Sequence, residues 1–112
     1  EIWFINLDPT VGAEIRKTRP AVIVNDDAVG ILPLKIIVPI TDWKEHYKGA
    51  PWMVKLGLDG QNGLSKDSVA DTFQIRSISH QRFSDKIGVL SNDKMKEMEV
   101  ALAAVLKIGQ HS

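Results

Sequence analysis

The segment GAEIRKTRP, residues 12–20, combines side chains that could bind a phosphate group. Arg19 lies directly before Pro20, and a proline restricts the preceding residue to extended backbone, so the arginine is expected at the entrance of a strand. A guanidinium has a planar fork of N–H donors that suits phosphate oxygens. The alternative is an ion pair between Arg19 and Glu14. The segment therefore predicts either a phosphate site or a structural salt bridge.

A second polar cluster ends an apolar run, where VPITDW at positions 38–43 presents Thr41 and Asp42. The threonine hydroxyl can donate or accept a hydrogen bond and the carboxylate can accept a proton, although Thr-Asp after a strand is also an ordinary turn. The next residues interleave aromatic rings with cations, as single-stranded nucleic acid prefers, or they cap the core. They are Trp43, Lys44, His46, Tyr47, Lys48 and Trp52.

A third polar stretch is NGLSKDSVADTFQIRSI, residues 62–78. Gln74 and Arg76 are long polar side chains placed around one apolar residue where a strand ends. Arg76 could add to a phosphate site, or it could pair with Asp71 or Asp85. Both alternatives fit the sequence.

Composition restricts the class of protein. Fourteen basic and fourteen acidic residues cancel, so there is no overall basic field and any polyanion site must be local. The absence of cysteine excludes disulfides, thiolate zinc sites and a cysteine nucleophile, and fits a reducing compartment, with the cytoplasm as the default. No apolar stretch is long enough to span a bilayer, and the chain opens in a strand pattern, so we expect a soluble protein whose natural start precedes Glu1.

The elements that must position these residues are mainly strands. Short runs rich in β-branched and aromatic residues predict six of them. Pro39 cannot donate to a ladder and therefore predicts an edge or a bulge. The predicted strands are Ile2–Leu7, Ala21–Asn25, Leu34–Thr41, Trp52–Leu56, Ser68–Phe73 and Lys86–Leu90.

The final segment changes to a helical period. Ser91 is placed as the N-cap, Asp93 lies in the first turn, and Gly109 is the expected stop. The apolar stripe at three- and four-residue steps predicts an amphipathic helix that covers the sheet. The stripe comprises Met95, Met98, Leu102 and Val105, and Ala101 and Leu106 flank it.

These elements predict one domain over residues 1–112, mainly β (α+β), because no linker or repeat divides the chain. Five to seven short strands and a C-terminal helix favour a strongly bent sheet that closes into a small SH3-like barrel, which removes exposed edges.

The chain resembles the MazF/PemK family of toxins from bacterial toxin-antitoxin modules. The resemblance runs from Glu1 to the terminal helix and rests on three blocks: EIWFINLDPTVGAEIRKTRPAVIV, VPITD and GLSKDSVADTFQIRSI. It implies an SH3-like, CcdB-like barrel that works as a homodimer in the bacterial cytoplasm. It also implies a metal-independent, cofactor-free endoribonuclease that cuts single-stranded RNA, is inhibited by the acidic, disordered tail of a cognate antitoxin, and does not act at a membrane.

By this resemblance Arg19 and Thr41 are the active-site residues. Attack of an RNA 2'-hydroxyl on the adjacent phosphorus would leave 2',3'-cyclic phosphate and 5'-hydroxyl ends, with Arg19 stabilising the charge and Thr41 fixing the phosphate or hydroxyl. The charged loop would form a mobile wall of the RNA groove. The expected RNA contacts are Glu14, Arg16, Lys17, Asp42, Trp43, Lys44, His46, Gln74 and Arg76.

Three positions depart from one branch of the family. That branch has a histidine after the loop glycine and an Arg-x-Asp before the glutamine, where this chain has Ala13, Asp71 and Phe73. Its proton-transfer pair is therefore absent here. The candidates that remain are Glu14, Asp42 and His46.

The same fold is compatible with two other functions. A gyrase-poisoning toxin such as CcdB would bind a protein and leave RNA intact, and a barrel could also bind RNA without cutting it. Dimerisation would cover the Pro39 strand and the second face of the helix. Acidic antitoxin residues would replace RNA phosphates at the cations Arg16, Lys17, Arg19 and Lys44.

Overall fold

The computed structural model describes residues 1–26 and 32–109. It confirms the fold class: a mainly β protein of seven antiparallel strands with one C-terminal helix. All six predicted strands are present with shifted bounds, and a seventh, β6, lies in the polar run RSIS, which has no apolar signature. The elements are β1 Ile2–Asn6, β2 Thr18–Ile23, β3 Leu34–Asp42, β4 Met53–Leu56, β5 Ser68–Asp71, β6 Arg76–Ser79, β7 Phe83–Gly88 and α1 Asn92–Leu106. Short 3₁₀ turns occupy Glu45–Tyr47, Thr72–Gln74 and His80–Arg82.

The strand order is β4-β5-β3-β2-β1-β7, and β6 also pairs with β3. One side of β3 pairs with β2. The other side pairs first with β6, up to Ile37, and then with β5, from Ile40 onward. The long central strand therefore belongs to both halves of the sheet.

Pro39 lies in the interval of β3 between these two partners and is fully buried. The expected irregularity before Thr41 is present, but the predicted edge position is wrong because β3 is central. A proline fits this interval since its missing N–H faces no paired strand there. The strand consequently offers no free edge for the two-fold contact expected from the sequence.

The two faces of the sheet carry separate apolar clusters because successive strand residues point to opposite sides. The helix face holds a cluster that includes Val22, Val38 and Ile40, and α1 covers it with Met98 and Ala101. The opposite face is called the loop face. Its cluster consists of Ile5, Leu7, Ala21, Ile37 and Ile78, with Ile15 of the charged loop packed against it.

Helix α1 begins as predicted and ends earlier. The hydroxyl of Ser91 accepts a hydrogen bond from the Lys94 N–H at 3.2 Å, which caps the first turn. Lys107, not Gly109, takes the first left-handed conformation, with φ of 58°, and the Ile108 N–H then donates to Ala103 at 2.8 Å. Of the two residues predicted to flank the apolar stripe, Ala101 is buried and Leu106 is about half exposed. No helix within the described ranges is long and apolar enough to cross a membrane.

The loop between β4 and β5 is folded by its own side chains. The Asp59 carboxylate accepts hydrogen bonds from the N–H groups of Gln61 and Asn62, both at 2.7 Å. Asn62 is buried, and its amide donates to Gly57 at 2.8 Å. Gly63 has φ of +69° and lies so close to β7 that a Cβ would be 1.9 Å from the Ile87 carbonyl oxygen. Only glycine fits this backbone.

We therefore expect Gly63→Ala to lower the free energy of unfolding by about 2 kcal/mol or more, from left-handed strain and backbone overlap. Gly57→Ala is the matched control, because a Cβ there meets nothing within 4 Å. Denaturant unfolding of both variants is the measurement. Equal stability of the two would show that the loop moves away from β7 at no cost.

Candidate functional site

Arg19 and Thr41 point to the same side of the sheet. Arg19 pairs with Ile5, which belongs to the cluster of the loop face. The ladder between β2 and β3 ends at the pair of Ala21 and Pro39, and Arg19 and Thr41 each lie two residues beyond it. Residues two apart on a strand project to one face, so Arg19 shares the face of Ala21 and Thr41 that of Pro39. The two predicted active-site residues are thus neighbours on the loop face.

The Arg19 guanidinium is half-buried and is not neutralised by a carboxylate. Its Nε donates to the backbone oxygen of Arg16 at 3.3 Å, and within residues 1–26 and 32–109 it forms no ion pair. Glu14 instead accepts a hydrogen bond from the Val11 N–H at 2.6 Å. The predicted alternative, a salt bridge between Arg19 and Glu14, is therefore not formed. A guanidinium without a carboxylate partner keeps N–H donors that could bind an external anion.

The charged loop is tied to the third polar stretch by Gln74. The Gln74 side-chain oxygen accepts from the Ile15 N–H at 2.6 Å, and its amide nitrogen donates to the Ala13 oxygen at 3.3 Å. The same nitrogen donates to Asp71 at 3.2 Å. We expected a mobile wall here, whereas the loop is held by a side chain 59 residues further along the chain. The RNA contact assigned to Gln74 stays a prediction.

Asp71 is a buried carboxylate that the sequence presented only as a possible partner of Arg76. Burial raises its pKa, and hydrogen bonds from Phe73 and Gln74 oppose that shift. Within the described ranges Arg76 is in no ion pair with Asp71 or Asp85. Asp71 acts instead as a cap for the Thr72–Gln74 turn, accepting from the Phe73 N–H at 3.1 Å.

A cleft of about 220 Å³ opens on the loop face. Arg76 pairs with Ile37 across β6 and β3, and so it projects to this face as well. The cleft brings the charged loop and the third polar stretch together over β3. Its lining comprises Glu14, Ile15, Pro39, Phe73, Gln74, Ile75 and Arg76.

The aromatic segment after β3 is already partly occupied by contacts within the protein. The Nζ of Lys55 lies 4.6 Å from the centre of the Trp43 ring, and Tyr47 packs against that ring edge-on at 6.2 Å. Trp43 Nε1 is buried without a hydrogen-bond partner. Lys44 and His46 are exposed and do not line the cleft on the loop face. The RNA contacts assigned to Trp43, Lys44 and His46 stay predictions, as does the alternative that the segment caps the core.

Arg16 and Lys17 are exposed on the charged loop. Lys17 has φ of 69°, and its N–H donates to the Asp8 carboxylate at 3.1 Å. The backbone of Lys17 is therefore held while its ammonium group is free to meet an anion.

A second cleft, of about 260 Å³, opens at the end of the helix face. Arg19 and Thr41 border it, but the residues that project into it by strand alternation are their neighbours Pro20, Ile40 and Asp42. Strand alternation directs the side chains of Arg19 and Thr41 to the loop face, so they border this cleft from its rim. Asp42 forms an ion pair with Lys66 at 3.1 Å on this side. The predicted cluster of Thr41 and Asp42 is thus divided between two faces.

A match over nearly the whole chain shows the family. Residues 1–106 match the family model described as a PemK-like, MazF-like toxin of type II toxin-antitoxin systems. The chain belongs to this family. It is similar to endoribonuclease MazF9 of Mycobacterium tuberculosis, with 33% identity over 91% of this chain and 89% of the relative. It is also similar to endoribonuclease EndoA of Bacillus subtilis, with 32% identity over 96% of this chain and 92% of the relative.

A solved structure supports the same fold. A mycobacterial endoribonuclease in complex with its cognate antitoxin superimposes with a TM-score of 0.75, covering 96% of this chain and 91% of that chain at 18% identity. The likeness confirms the barrel with its C-terminal helix for this MazF/PemK toxin.

The Gln74 contacts predict a specific local effect. Gln74→Ala removes the acceptor for the Ile15 N–H, so hydrogen exchange at that amide should accelerate and the free energy of unfolding should fall by about 1 to 2 kcal/mol. Gln81→Ala, at an exposed glutamine, is the matched control. Unchanged protection of Ile15 would contradict the tie between the loop and the third stretch.

The raised pKa of Asp71 predicts a pH dependence. Since its ordinary value is 3.8 and the folded value is higher, the protonated form is favoured by folding. The associated stability is complete below the unfolded pKa and is lost as pH rises through the folded pKa. Relative to Asp71→Asn, the wild-type free energy of unfolding should therefore decrease as pH rises from below 3.8 through the raised pKa of the folded state.

Denaturant titrations across that range test this, with Asp85→Asn, at an exposed carboxylate, as the control for a lost charge. A difference between wild type and Asp71→Asn that stays constant with pH would contradict the shift.

Proposed function

We propose that this MazF/PemK toxin is an endoribonuclease that cleaves single-stranded RNA at short sequences without a metal ion and thereby inhibits translation and growth. Family membership and relatives named as endoribonucleases support the reaction class. The observation that supports the assignment to residues is the position of Arg19 and Thr41 on the loop face, just beyond the end of the β2–β3 ladder, with no carboxylate paired to Arg19 within the described ranges.

Cleavage without a metal requires the RNA itself to supply the nucleophile. A 2'-hydroxyl loses its proton and attacks the adjacent phosphorus, the bond from phosphorus to the 5'-oxygen breaks, and that oxygen accepts a proton. The products are a 2',3'-cyclic phosphate and a 5'-hydroxyl. Arg19 stabilises the charge that develops on the phosphoryl oxygens, and Thr41 positions the phosphate or the attacking hydroxyl by a hydrogen bond.

Among the three candidates for proton transfer, the structure favours Glu14. Asp42 is directed to the helix face and paired with Lys66. His46 lies in the exposed segment beyond Trp43. Glu14 borders the cleft on the loop face and already accepts a hydrogen bond, so its carboxylate is held in one direction. We assign removal of the 2'-hydroxyl proton to Glu14.

The partners proposed are a cognate antitoxin and a second copy of the chain. The solved relative bound to its antitoxin supports the first, and the cations at the entrance of the loop face suit an acidic inhibitor. Substrate and inhibitor are both met in the bacterial cytoplasm, where we expect the toxin to act. Antitoxin and RNA would compete for this one surface, and this competition would be the means of inhibition.

The decisive experiment incubates the wild type and Arg19→Ala with mixed-sequence single-stranded RNA in excess EDTA and identifies the new ends by mass. Wild type should produce cyclic-phosphate and 5'-hydroxyl ends. Arg19→Ala should reduce kcat by about 100- to 1,000-fold, because one well-placed charge-stabilising donor is lost. Arg19→Lys should recover little, since an ammonium lacks the planar fork, and Thr41→Val should be impaired without a change in volume.

Lys96→Ala, an exposed charge removal on α1, is the control for expression and folding. Arg19→Ala should also abolish toxicity in growing cells while its circular dichroism is unchanged. Full cleavage by a folded Arg19→Ala would overturn the role of Arg19. Intact RNA with a folded and toxic wild type would indicate a protein target of the gyrase type, and RNA that is bound but not cut would indicate a non-catalytic barrel.

A further inference from the structure

Phe73 is the most exposed aromatic side chain among residues 1–26 and 32–109, at 69%. The backbone beneath it is nevertheless fixed. Thr72 is fully buried, and its N–H and hydroxyl both donate to the Trp52 oxygen, at 3.1 and 2.6 Å. The Phe73 N–H donates to Asp71. An exposed ring on a rigid turn is a surface for binding another group, because little further ordering is needed when the group arrives.

One aromatic contact supports the ring and leaves a face open. Trp52 and Phe73 have ring centres 6.3 Å apart with planes inclined at 69°, an edge-to-face arrangement. Such a contact involves the edge of one ring and does not cover both faces of the pair. Phe73 thus offers a flat apolar area beside the cleft of the loop face.

The polar groups beside the ring match a nucleotide. Arg76 borders the same cleft and has no carboxylate partner within the described ranges. An aromatic ring that stacks a base next to a cation that meets a phosphate is the arrangement by which proteins hold single-stranded nucleic acid. At about 220 Å³ the cleft is below the size usual for drug-like ligands, about 300 Å³ or more, and suits one planar base.

The cleft is also correctly placed relative to Arg19 and Thr41. Pro39 forms part of its floor and lies two residues before Thr41 on β3, with both residues on the loop face. Two strand residues correspond to about 6.6 Å. A single nucleotide of an extended strand spans that distance. A base in the cleft would therefore belong to a nucleotide next to the one that is cleaved.

We propose that Phe73 and Arg76 form a base-stacking subsite for the RNA nucleotide adjacent to the scissile phosphate. The proposal rests on the function proposed above and extends it to substrate selection. The chain has an exposed aromatic ring at the position where another branch of the family has an aspartate. Phe73 thus contributes to binding of the base at one position, while Arg19 and Thr41 act on the phosphate.

The test uses single-stranded RNA whose 2'-hydroxyls are methylated, so that it cannot be cleaved, with one 2-aminopurine moved along the strand. With wild type, fluorescence should be quenched when 2-aminopurine occupies the stacked position. Phe73→Leu should abolish this quenching and weaken binding by about 5- to 100-fold, while Phe73→Trp should retain both. Arg76→Ala should weaken binding and reduce its salt dependence. Val100→Ala, at a similarly exposed apolar side chain on α1, is the control.

The outcomes separate this proposal from the proposed function. Quenching that depends on Phe73, in a protein that leaves unmethylated RNA intact, would support the subsite and refute cleavage. Cleavage with quenching that is unaffected by Phe73→Leu, or absent at every position, would overturn the subsite alone. A change of oligomeric state or of antitoxin binding in Phe73→Leu, with RNA binding unchanged, would also overturn it, because the ring would then be a protein contact.

Discussion

The central strand β3 pairs with two different strands along one of its sides, and most of the fold depends on this change of partner. Its first half pairs with β6 and its second half with β5, while β2 runs along the opposite side. A sheet in which one strand changes partners must bend at that point, and Pro39 occupies the interval where no ladder N–H is needed. The bend directs the end of β3, with Thr41, toward the entrance of β2, with Arg19.

This arrangement separates stability from chemistry by face. The helix face is closed by α1, whose buried residues complete an apolar cluster with strands on both sides of β3. The loop face has a smaller apolar cluster and remains partly open, covered by the charged loop. A charged loop can lie over a sheet only if its backbone N–H and C=O groups are hydrogen-bonded. Gln74 supplies partners for two of them, the Ile15 N–H and the Ala13 oxygen. Gln74 lies in the third polar stretch, which lines one side of the cleft, and it also holds the charged loop on the other side.

The position of Phe73 illustrates how one turn can serve different purposes within a family. In the subsite proposed above, the exposed ring of Phe73 provides apolar area for a base in place of a carboxylate. The buried carboxylate of Asp71 lies two residues earlier and stabilises the turn through its contacts with Phe73 and Gln74. Loss of an acidic group at position 73 leaves proton transfer to another residue, and Glu14 is the one on the same face. The proposed mechanism therefore assigns base binding to the Thr72–Gln74 turn and proton transfer to the charged loop, which line the same cleft.

The sequence by itself determined six of the seven strands of the described residues, the helix with its cap at Ser91, and the family, because these depend on local periodicity and on residues at fixed spacing. Tertiary structure alone decided which face each polar side chain occupies. Strand side chains alternate with a period of two, so neighbours such as Thr41 and Asp42 are separated although they are adjacent in the sequence. The contact of Gln74 with Ile15 and the central position of β3 also required the structure, since long-range pairing leaves no mark on local composition.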